Sequence, residues 1–407
     1  MRVLLSTIGS RGDVQPLVAL ATALRGWGAD AHLCVPPDFR EWIEGLGFDV
    51  TPVGPEVQKA AAWRPPATPP QTPPSAEQLR QVIDATVAAQ FAALTPAAQR
   101  CDAILAATAL QIAARTVAEM AGIPYAFAAY CPIVLPSPHH APPPLPPAPG
   151  PILAQEGAGN LELWARNRAR FNATFRDSLN VQRASLGLTA VDDVQAYMFT
   201  DRPWLPADPT VAPWPDPSDA AVFQPGAWIL QDERPLAQEV ESFLDTGDAP
   251  VYFGFSSIHT APGLGHAMVA AARAVGRRAI VSSGWAGLAV DAAADSLTLG
   301  EANLRTVFAR VAAIVHHGGA GTTTLATLSG VPQVIVPQVY DQRYFARRIE
   351  ELGVGVAHAP GMPTAESLTA ALERVLEPEV AARAQTIAKA VRLDGAEVAA
   401  ARLVGHI

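Results

Sequence analysis

Two stretches of this chain hold residues whose types and spacing could do chemistry. The first is AAIVHHGGAGTTTLATLSGVPQVIVPQVYDQ at 312–342. An apolar run of strand length leads into His316 and His317, then Gly318, Gly319, Ala320 and Gly321, then Thr322, which opens a helix. Small residues let a phosphate approach the backbone closely, and a helix start offers unpaired N–H groups at the positive end of its dipole. Threonine hydroxyls can add hydrogen bonds. The cluster therefore reads either as a diphosphate site or as a tight strand-to-helix turn with Thr as its N-cap. His317 tilts the reading toward the anion, because an imidazole can donate to a phosphate oxygen. Adjacent histidines on a strand point to opposite faces, so neither His316–His317 nor His139–His140 reads as a metal pair. Further on, Asp341 and Gln342 follow the run VIVP. Strand C-terminal ends are where ligands bind in open α/β sheets, and a carboxylate beside an amide suits sugar hydroxyls.

The second stretch is STIGSRGDVQP at 6–16. Gly9 and Gly12 are three apart, so the dinucleotide fingerprint GxGxxG is not met. Asp13 falls at or near a helix N-terminus, where the dipole favours a carboxylate and lowers its pKa. It reads as a helix N-cap or as a general base.

The elements that must position these groups alternate. Residues 2–6 have strand character, 16–27 helical spacing, 31–35 strand, 38–46 helix and 50–53 strand. Strands at 103–107 and 123–128 flank a helix at 111–121, and 160–187 is polar and helical. A second series has strands at 251–255, 279–282, 312–315 and 334–337, with a helix at 265–275. Such alternation implies parallel sheets covered on both faces. The Pro- and Trp-rich segment TDRPWLPADPTVAPWPDP at 200–217 marks a composition shift and a candidate linker. RPPATPPQTPP at 64–74 and the proline-rich stretch 132–151 read as long surface loops, either spacers or part of an acceptor-binding rim, the second favoured by their length.

Composition removes several classes. The chain has 407 residues, enough for two or three domains, and is 49% hydrophobic and 16% charged, which is not the composition of a disordered chain. A net charge of −9 argues against a nucleic-acid partner. The only lysines are Lys59 and Lys389, and neither lies in a Walker A loop. The three cysteines are scattered and form no CxxC, which reads as reduced and metal-free, and neither a signal peptide nor a transmembrane segment is expected. A cytoplasmic location follows as the expectation.

Taken in order, GSRGDVQPLVALA, CPIVLPSPHHAPPPLPP, TDRPWLPADP, GAWILQDERPL, HHGGAGTT and YDQ resemble the GT-B fold natural-product glycosyltransferases of the UDP-glycosyltransferase superfamily. The chain is most similar to the actinobacterial glycopeptide-antibiotic (vancomycin-type) branch. The resemblance implies two Rossmann-like α/β domains with parallel sheets facing across a cleft. It divides the chain into an acceptor domain at 1–205, a linker at 206–226, a nucleotide-sugar domain at 227–385 and a C-terminal helix at 386–407 that returns to the first domain. It implies an inverting, metal-independent transfer of a hexose, glucose-type favoured, from a UDP- or TDP-sugar to a bulky hydrophobic or phenolic aglycone. No cofactor is expected beyond that co-substrate. Asp13 matches the base, and Ser10, Arg11 and Gly12 match a loop reaching toward the donor phosphates. His317 and Gly318, Gly319, Ala320, Gly321 and Thr322 match the diphosphate cradle, and Asp341 and Gln342 the contacts to the sugar. Ser257 matches a phosphate-contacting serine in a turn that here reads Gly254–Phe255–Ser256–Ser257. A dipole-lowered pKa at Asp13 would suit a phenolic acceptor better than an alkyl one. The other acceptors weighed are a sterol, a macrolide or a polyketide. The readings of other classes are a nucleotide-sugar 2-epimerase and a non-catalytic homologue.

Overall fold

The computed structural model describes residues 1–58, 75–143, 158–216, 221–255, 263–285 and 287–405. The stretch 64–74, the part of the second proline-rich stretch from 144 onward, and Ser257 lie outside the described residues. The chain divides into two compact units: Met1–Ala207 with Pro213–Leu230 and Leu393–Ile407, and Asp208–Ala212 with Gln231–Arg392.

Unit 1 contains β1 (Arg2–Thr7), α1 (Arg11–Gly26), β2 (Asp30–Val35), α2 (Arg40–Gly45), β3 (Asp49–Pro52) and α3 (Ala76–Ala98). It continues with β4 (Ala103–Ala107), α4 (Ala114–Ala121), β5 (Tyr125–Ala128), α5 (Asn160–Ser185) and α6 (Val194–Phe199). Its five strands run parallel in the order β3-β2-β1-β4-β5. Val3, Leu4 and Leu5 are consecutive and all fully buried, as a parallel strand covered on both faces requires. Helix α1 starts five residues earlier than its apolar spacing predicts. Pro16 lies inside it rather than at its start, and the carbonyl left without a partner, four residues back, belongs to the exposed Gly12.

Parts of the segment from 200 to 230 are buried, among them 203–208 and 225–228. Trp204 donates its backbone N–H to the Phe127 carbonyl at 2.7 Å, and Leu205 donates to Phe223 at 2.8 Å, so the sheet edge beyond β5 is continued by short bridges. Trp204, Leu205, Trp214 and Trp228 are all under a tenth exposed.

Unit 2 contains α7 (Gln238–Asp245), β6 (Val251–Gly254), α8 (Leu264–Ala274), β7 (Ala279–Ser282), β8 (Ser296–Leu299) and α9 (Leu304–Phe308). Then follow β9 (Ala313–His316), α10 (Ala320–Leu328), β10 (Gln333–Ile335), α11 (Gln342–Leu352), β11 (Gly355–Ala357), α12 (Ala365–Val375) and α13 (Pro378–Ala388). Its six parallel strands are ordered β11-β10-β9-β6-β7-β8. Alternate residues feed two cores. Phe253, Val281 and Val315 pack on one face, and Tyr252, Ile280 and Ile314 on the other. Two parallel α/β units are thus present, as the alternation predicts. Among the described residues no helix is long and apolar enough to cross a membrane.

The last helix, α14 (Gly395–Gly405), belongs to unit 1 and packs on α1. It can do so because its first residue has no side chain. A Cβ at Gly395 would overlap the backbone of Gly226 and Ala227. Gly395→Ala should therefore lower the urea midpoint of unit 1 by the equivalent of ~1–3 kcal/mol, the usual cost of overpacking against rigid atoms. An unchanged midpoint would show that this end of the helix can move away freely.

Candidate functional site

In each unit the winding of the sheet reverses at one gap. In unit 1 the chain moves from β1 outward to β2 and β3, then returns to lay β4 and β5 on the other side of β1. The loops that follow β1 and β4 diverge there, which is where open α/β sheets hold ligands. Asp13 stands just beyond the first of them. Ser10 is the N-cap of α1, and Asp13 is the third residue of the helix. Ser10 donates its backbone N–H to Asp13 Oδ2 at 2.6 Å and its hydroxyl to the same oxygen at 3.2 Å. The expected N-cap aspartate is thus the far half of a capping box.

The expected lowering of the Asp13 pKa is overturned. The residue keeps some solvent contact, but its carboxyl group is closely surrounded by protein. That desolvation pushes the pKa up to about 6, against the hydrogen bonds from Ser10 and from its own backbone that pull it down. Gly9 makes the arrangement possible, since a Cβ there would overlap the Asp13 carboxyl group. Tyr130 donates its hydroxyl to the Asp13 carbonyl at 3.1 Å and sets its ring edge-on to Trp228, 6.1 Å between centroids. Burial, and secondarily the Asp13 charge, hold this phenol well above its usual range, so it remains a donor. Arg11 turns sideways, its guanidinium 3.6 Å over the Trp42 ring and its Nε donating to Gln15 at 3.0 Å. Gly12 is exposed. The loop after β4 supplies the other wall of the gap. Thr108 there takes a left-handed φ of 74°, an outlier of the kind that clusters at functional sites.

In unit 2 the reversal lies between β6 and β9, and Gly254 and His316 are register partners at their C-terminal ends. Helix α10 begins at Ala320, two residues before the predicted start, with Gly319 as its N-cap. The first helical hydrogen bond is from Thr323 N–H to the Gly319 carbonyl at 2.9 Å, so the N–H groups of Ala320, Gly321 and Thr322 have no partner inside the helix. The hydroxyls of Thr323 and Thr324 donate back to Gly319 and Ala320, each at 2.9 Å. That leaves the part-buried Thr322 hydroxyl with no hydrogen bond to another described residue. The Gly318 N–H is already taken, donated to His316 Nδ1 at 3.1 Å. Its φ is 91°, and a Cβ would lie 2.6 Å from Ile335 and 3.2 Å from the Gln342 carbonyl. The cradle thus abuts the start of α11.

Burial holds His317 neutral and pushes its pKa down to about 4, with only the Gly254 carbonyl opposing the fall. Its Nδ1 is buried and makes no hydrogen bond to another described residue. Gly319 has no side chain where a Cβ would meet the His317 ring at 2.6 Å. Beside the cradle, Asp341 is the N-cap of α11 after Tyr340, which takes a φ of 55°. Gln342 is buried, and its Oε1 accepts the N–H groups of Gln338 at 2.8 Å and Val339 at 3.0 Å. Only its amide NH2 remains to contact a ligand.

His317, Gly318, Gly319, Ala320, Gly321, Thr322, Asp341 and Gln342 therefore come together in unit 2, and Ser10, Arg11, Gly12 and Asp13 in unit 1. Among the described residues no three His, Cys, Asp or Glu side chains are grouped so as to hold a metal ion. Sequence reasoning missed Gly9 and Tyr130. Gly9 stood within a motif already singled out, but its contact with Asp13 requires the fold of the turn. Tyr130 carried no signal.

The pKa directions predict how stability follows pH. His316 and His317 are pushed down to about 3 and about 4. Unfolded histidines titrate near 6.5, so the unfolded state binds protons that the native state refuses, and unit 2 loses stability as pH falls below about 6.5. Asp13 acts with opposite sign in unit 1. Its raised pKa favours the native state below its unfolded value of 3.8, and that contribution is lost as pH rises through about 6. Between pH 7.5 and 5.0 the loss should reach at most about 2 kcal/mol per histidine, and His317→Asn should remove its share. Urea unfolding of both proteins at the two pH values checks this; identical pH dependence in the variant would contradict it.

Comparison with known proteins agrees with this geometry. Residues 3–135 match the glycosyltransferase family 28 N-terminal domain, and residues 297–401 match the erythromycin biosynthesis protein CIII-like C-terminal domain. The chain is 46% identical over 406 residues to glycosyltransferase GtfE of Amycolatopsis orientalis, covering 98% of this chain and 96% of that one. It is 44% identical over 410 residues to the vancomycin aglycone glucosyltransferase of the same organism, covering 100% and 98%. To that organism's dTDP-epi-vancosaminyltransferase it is 42% identical over 396 residues, covering 95% and 93%. The solved glycosyltransferase of kitacinnamycin superposes with a TM-score of 0.71 over 100% of this chain and 98% of that one, at 17% identity, a likeness of fold. With two parallel α/β units, a candidate site at the switch point of each, and these relatives over almost its whole length, the chain belongs to the GT-B natural-product glycosyltransferases, enzymes that use nucleotide-activated sugars, and is closely related to the actinobacterial glycopeptide-antibiotic sugar transferases.

Proposed function

We propose that this enzyme transfers a hexose, with inversion, from a UDP- or TDP-sugar to a phenolic hydroxyl of a glycopeptide aglycone. The observation that carries the donor half is the start of α10. Three N–H groups without helical partners follow the side-chain-free pair Gly318–Gly319, beside a neutral histidine whose Nδ1 has no partner among the described residues. The leaving diphosphate gains negative charge in the transition state, and donors already fixed there stabilise it without reorganising. Because the Gly318 N–H is occupied, the diphosphate falls to the N–H groups of Ala320, Gly321 and Thr322, the Thr322 hydroxyl and His317. Asp341 accepts from a sugar hydroxyl while the Gln342 amide donates to one, a pairing that needs a hydroxylated sugar. Glucose fits this, as does the likeness to the vancomycin aglycone glucosyltransferase. The almost equal likeness to the dTDP-epi-vancosaminyltransferase supports a second reading, in which a TDP-linked aminodeoxysugar is the donor.

In the acceptor half, Asp13 takes the hydroxyl proton as the acceptor oxygen attacks the anomeric carbon from the face opposite the diphosphate. The new C–O bond forms as the bond to the diphosphate oxygen breaks, and the proton ends on Asp13 Oδ. A carboxyl group whose pKa is pushed up to about 6 is a stronger base than an ordinary aspartate, yet is ionised at neutral pH. Phenolic oxygens are the easier acceptors, but the raised value brings alkyl hydroxyls within reach too. Ser10 serves this step first, since both its donors fix Asp13. Arg11 would have to leave the Trp42 ring to reach a phosphate.

Release of UDP or TDP, measured with and without vancomycin-type aglycone, tests the reading. Release only with aglycone is expected, whereas conversion of the donor into another nucleotide-sugar without aglycone and without net nucleotide release would point to an epimerase. Asp13→Ala should lower turnover by ~10²–10⁴-fold with donor affinity nearly unchanged. Wild-type kcat/KM should fall tenfold per pH unit below about 6, since protonated Asp13 cannot accept a proton. Full activity in Asp13→Ala would leave this carboxylate only its capping role.

A further inference from the structure

Behind the proposed cradle lies a chain of four buried side chains that no ligand would touch. His316, Gln333 and Thr323 are fully buried, and Thr327 is 1% exposed. The chain has a direction. The Gly318 N–H donates to His316 Nδ1 at 3.1 Å, so that nitrogen carries no proton and the proton of the neutral ring sits on Nε2. Nε2 donates to Gln333 Oε1 at 2.9 Å. With its oxygen used, the Gln333 amide donates to Thr327 Oγ1 at 2.9 Å, and the Thr327 hydroxyl donates to the Thr323 carbonyl at 2.8 Å. Thr323 in turn donates both its N–H and its hydroxyl to the Gly319 carbonyl, each at 2.9 Å. The links leave the loop at Gly318 and return to it at Gly319, passing through β9, β10 and the second turn of α10.

We propose that His316 is a positioning residue for donor binding: as the Nε2–H tautomer, held by Gln333 and Thr327, it turns the Gly318 N–H inward and so fixes which N–H groups of the loop remain for the diphosphate. The proposal rests on the donor-site reading above. Its physical content is that one loop carries successive N–H donors, and the site works only if they are sorted between interior and ligand. Gly318, with φ of 91° and no room for a Cβ, could turn its peptide either way without the acceptor at Nδ1. Any member that reverses its donor and acceptor leaves two donors or two acceptors facing each other among fully buried side chains, which is unfavourable. Burial keeps the ring neutral, its pKa pushed down to about 3, so the acceptor persists at neutral and mildly acidic pH.

Substitutions that keep or remove the acceptor distinguish this from a role in core stability alone. Asn at 316 can place its amide oxygen close to where Nδ1 lies but cannot reach Gln333, whereas Leu removes both contacts. Both should lower thermal stability to a similar extent. His316→Leu should raise the donor KM, and the Kd for UDP or TDP by calorimetry, by at least ~30-fold with a smaller change in kcat, and His316→Asn should recover most of that loss. Gln333→Glu supplies a third, independent readout. A buried carboxylate at 333 favours the imidazolium, which sets a proton on Nδ1 against the Gly318 N–H. The nucleotide Kd of that variant should therefore rise as pH falls from 8 to 6, more steeply than in the wild type. Equal losses of nucleotide affinity in the Asn and Leu variants, or a Gln333→Glu affinity that follows pH as the wild type does, would overturn the proposal. Failure of the donor-site reading itself is separable: in that case His317→Ala and Thr322→Val would also bind UDP and TDP normally.

Discussion

Parallel strands cannot be joined by tight hairpins, and from this the rest of the structure follows. Every connection must cross back over a face of the sheet, so helices cover both faces and the strands become continuously apolar. Loops from the strand ends then gather at one edge of the sheet. Where the winding changes direction, between β1 and β4 in unit 1 and between β6 and β9 in unit 2, two neighbouring loops part and leave room. Asp13 stands by the first gap, and His317 with the start of α10 by the second. Neither site needed a special scaffold, since both use the one opening that a doubly wound sheet cannot close.

Burial, more than charge, then sets the chemistry of the groups at these gaps. The N-terminus of α1 should stabilise the Asp13 carboxylate by ~0.3–1 kcal/mol. Removing the same group from water outweighs this and lifts its pKa to about 6, where every tenfold loss of acidity corresponds to about 1.4 kcal/mol. The same desolvation acts with the other sign on His316 and His317, keeping both neutral. A neutral imidazole can accept at one nitrogen and donate at the other, and that duality lets His316 take a backbone N–H while donating to Gln333. A lysine or arginine in its place could only donate.

Much of this was legible beforehand. The two α/β series, and the strands at 103–107 and 279–282, follow from apolar runs of strand length bounded by turns. Asp13, the glycine cluster and Asp341–Gln342 stood out because phosphates and sugars ask for few residue types. Helix α3, at Ala76–Ala98, was missed. It follows a proline-rich stretch, and much of it is small residues, whose periodicity is weak. The start of α1 was missed because Pro16 imitates a first-turn proline, while the true start depends on a serine and an aspartate bonding to each other.

What the sequence by itself determined is the class of fold and the kinds of group present at each site, because strand and helix periods and the chemistry of side chains are local properties. What only the tertiary structure decided is what those groups can do. The sign of the Asp13 shift depends on atoms packed around it by distant segments. The Gly318 N–H looks free in the sequence, yet it is spent on a histidine two residues away whose ring is held from β10. Gln342 looks like an equal donor and acceptor, yet its oxygen is bound to its own loop. Desolvation and hydrogen-bond direction are properties of a surrounding volume, and a one-dimensional sequence does not contain that volume until the chain has folded.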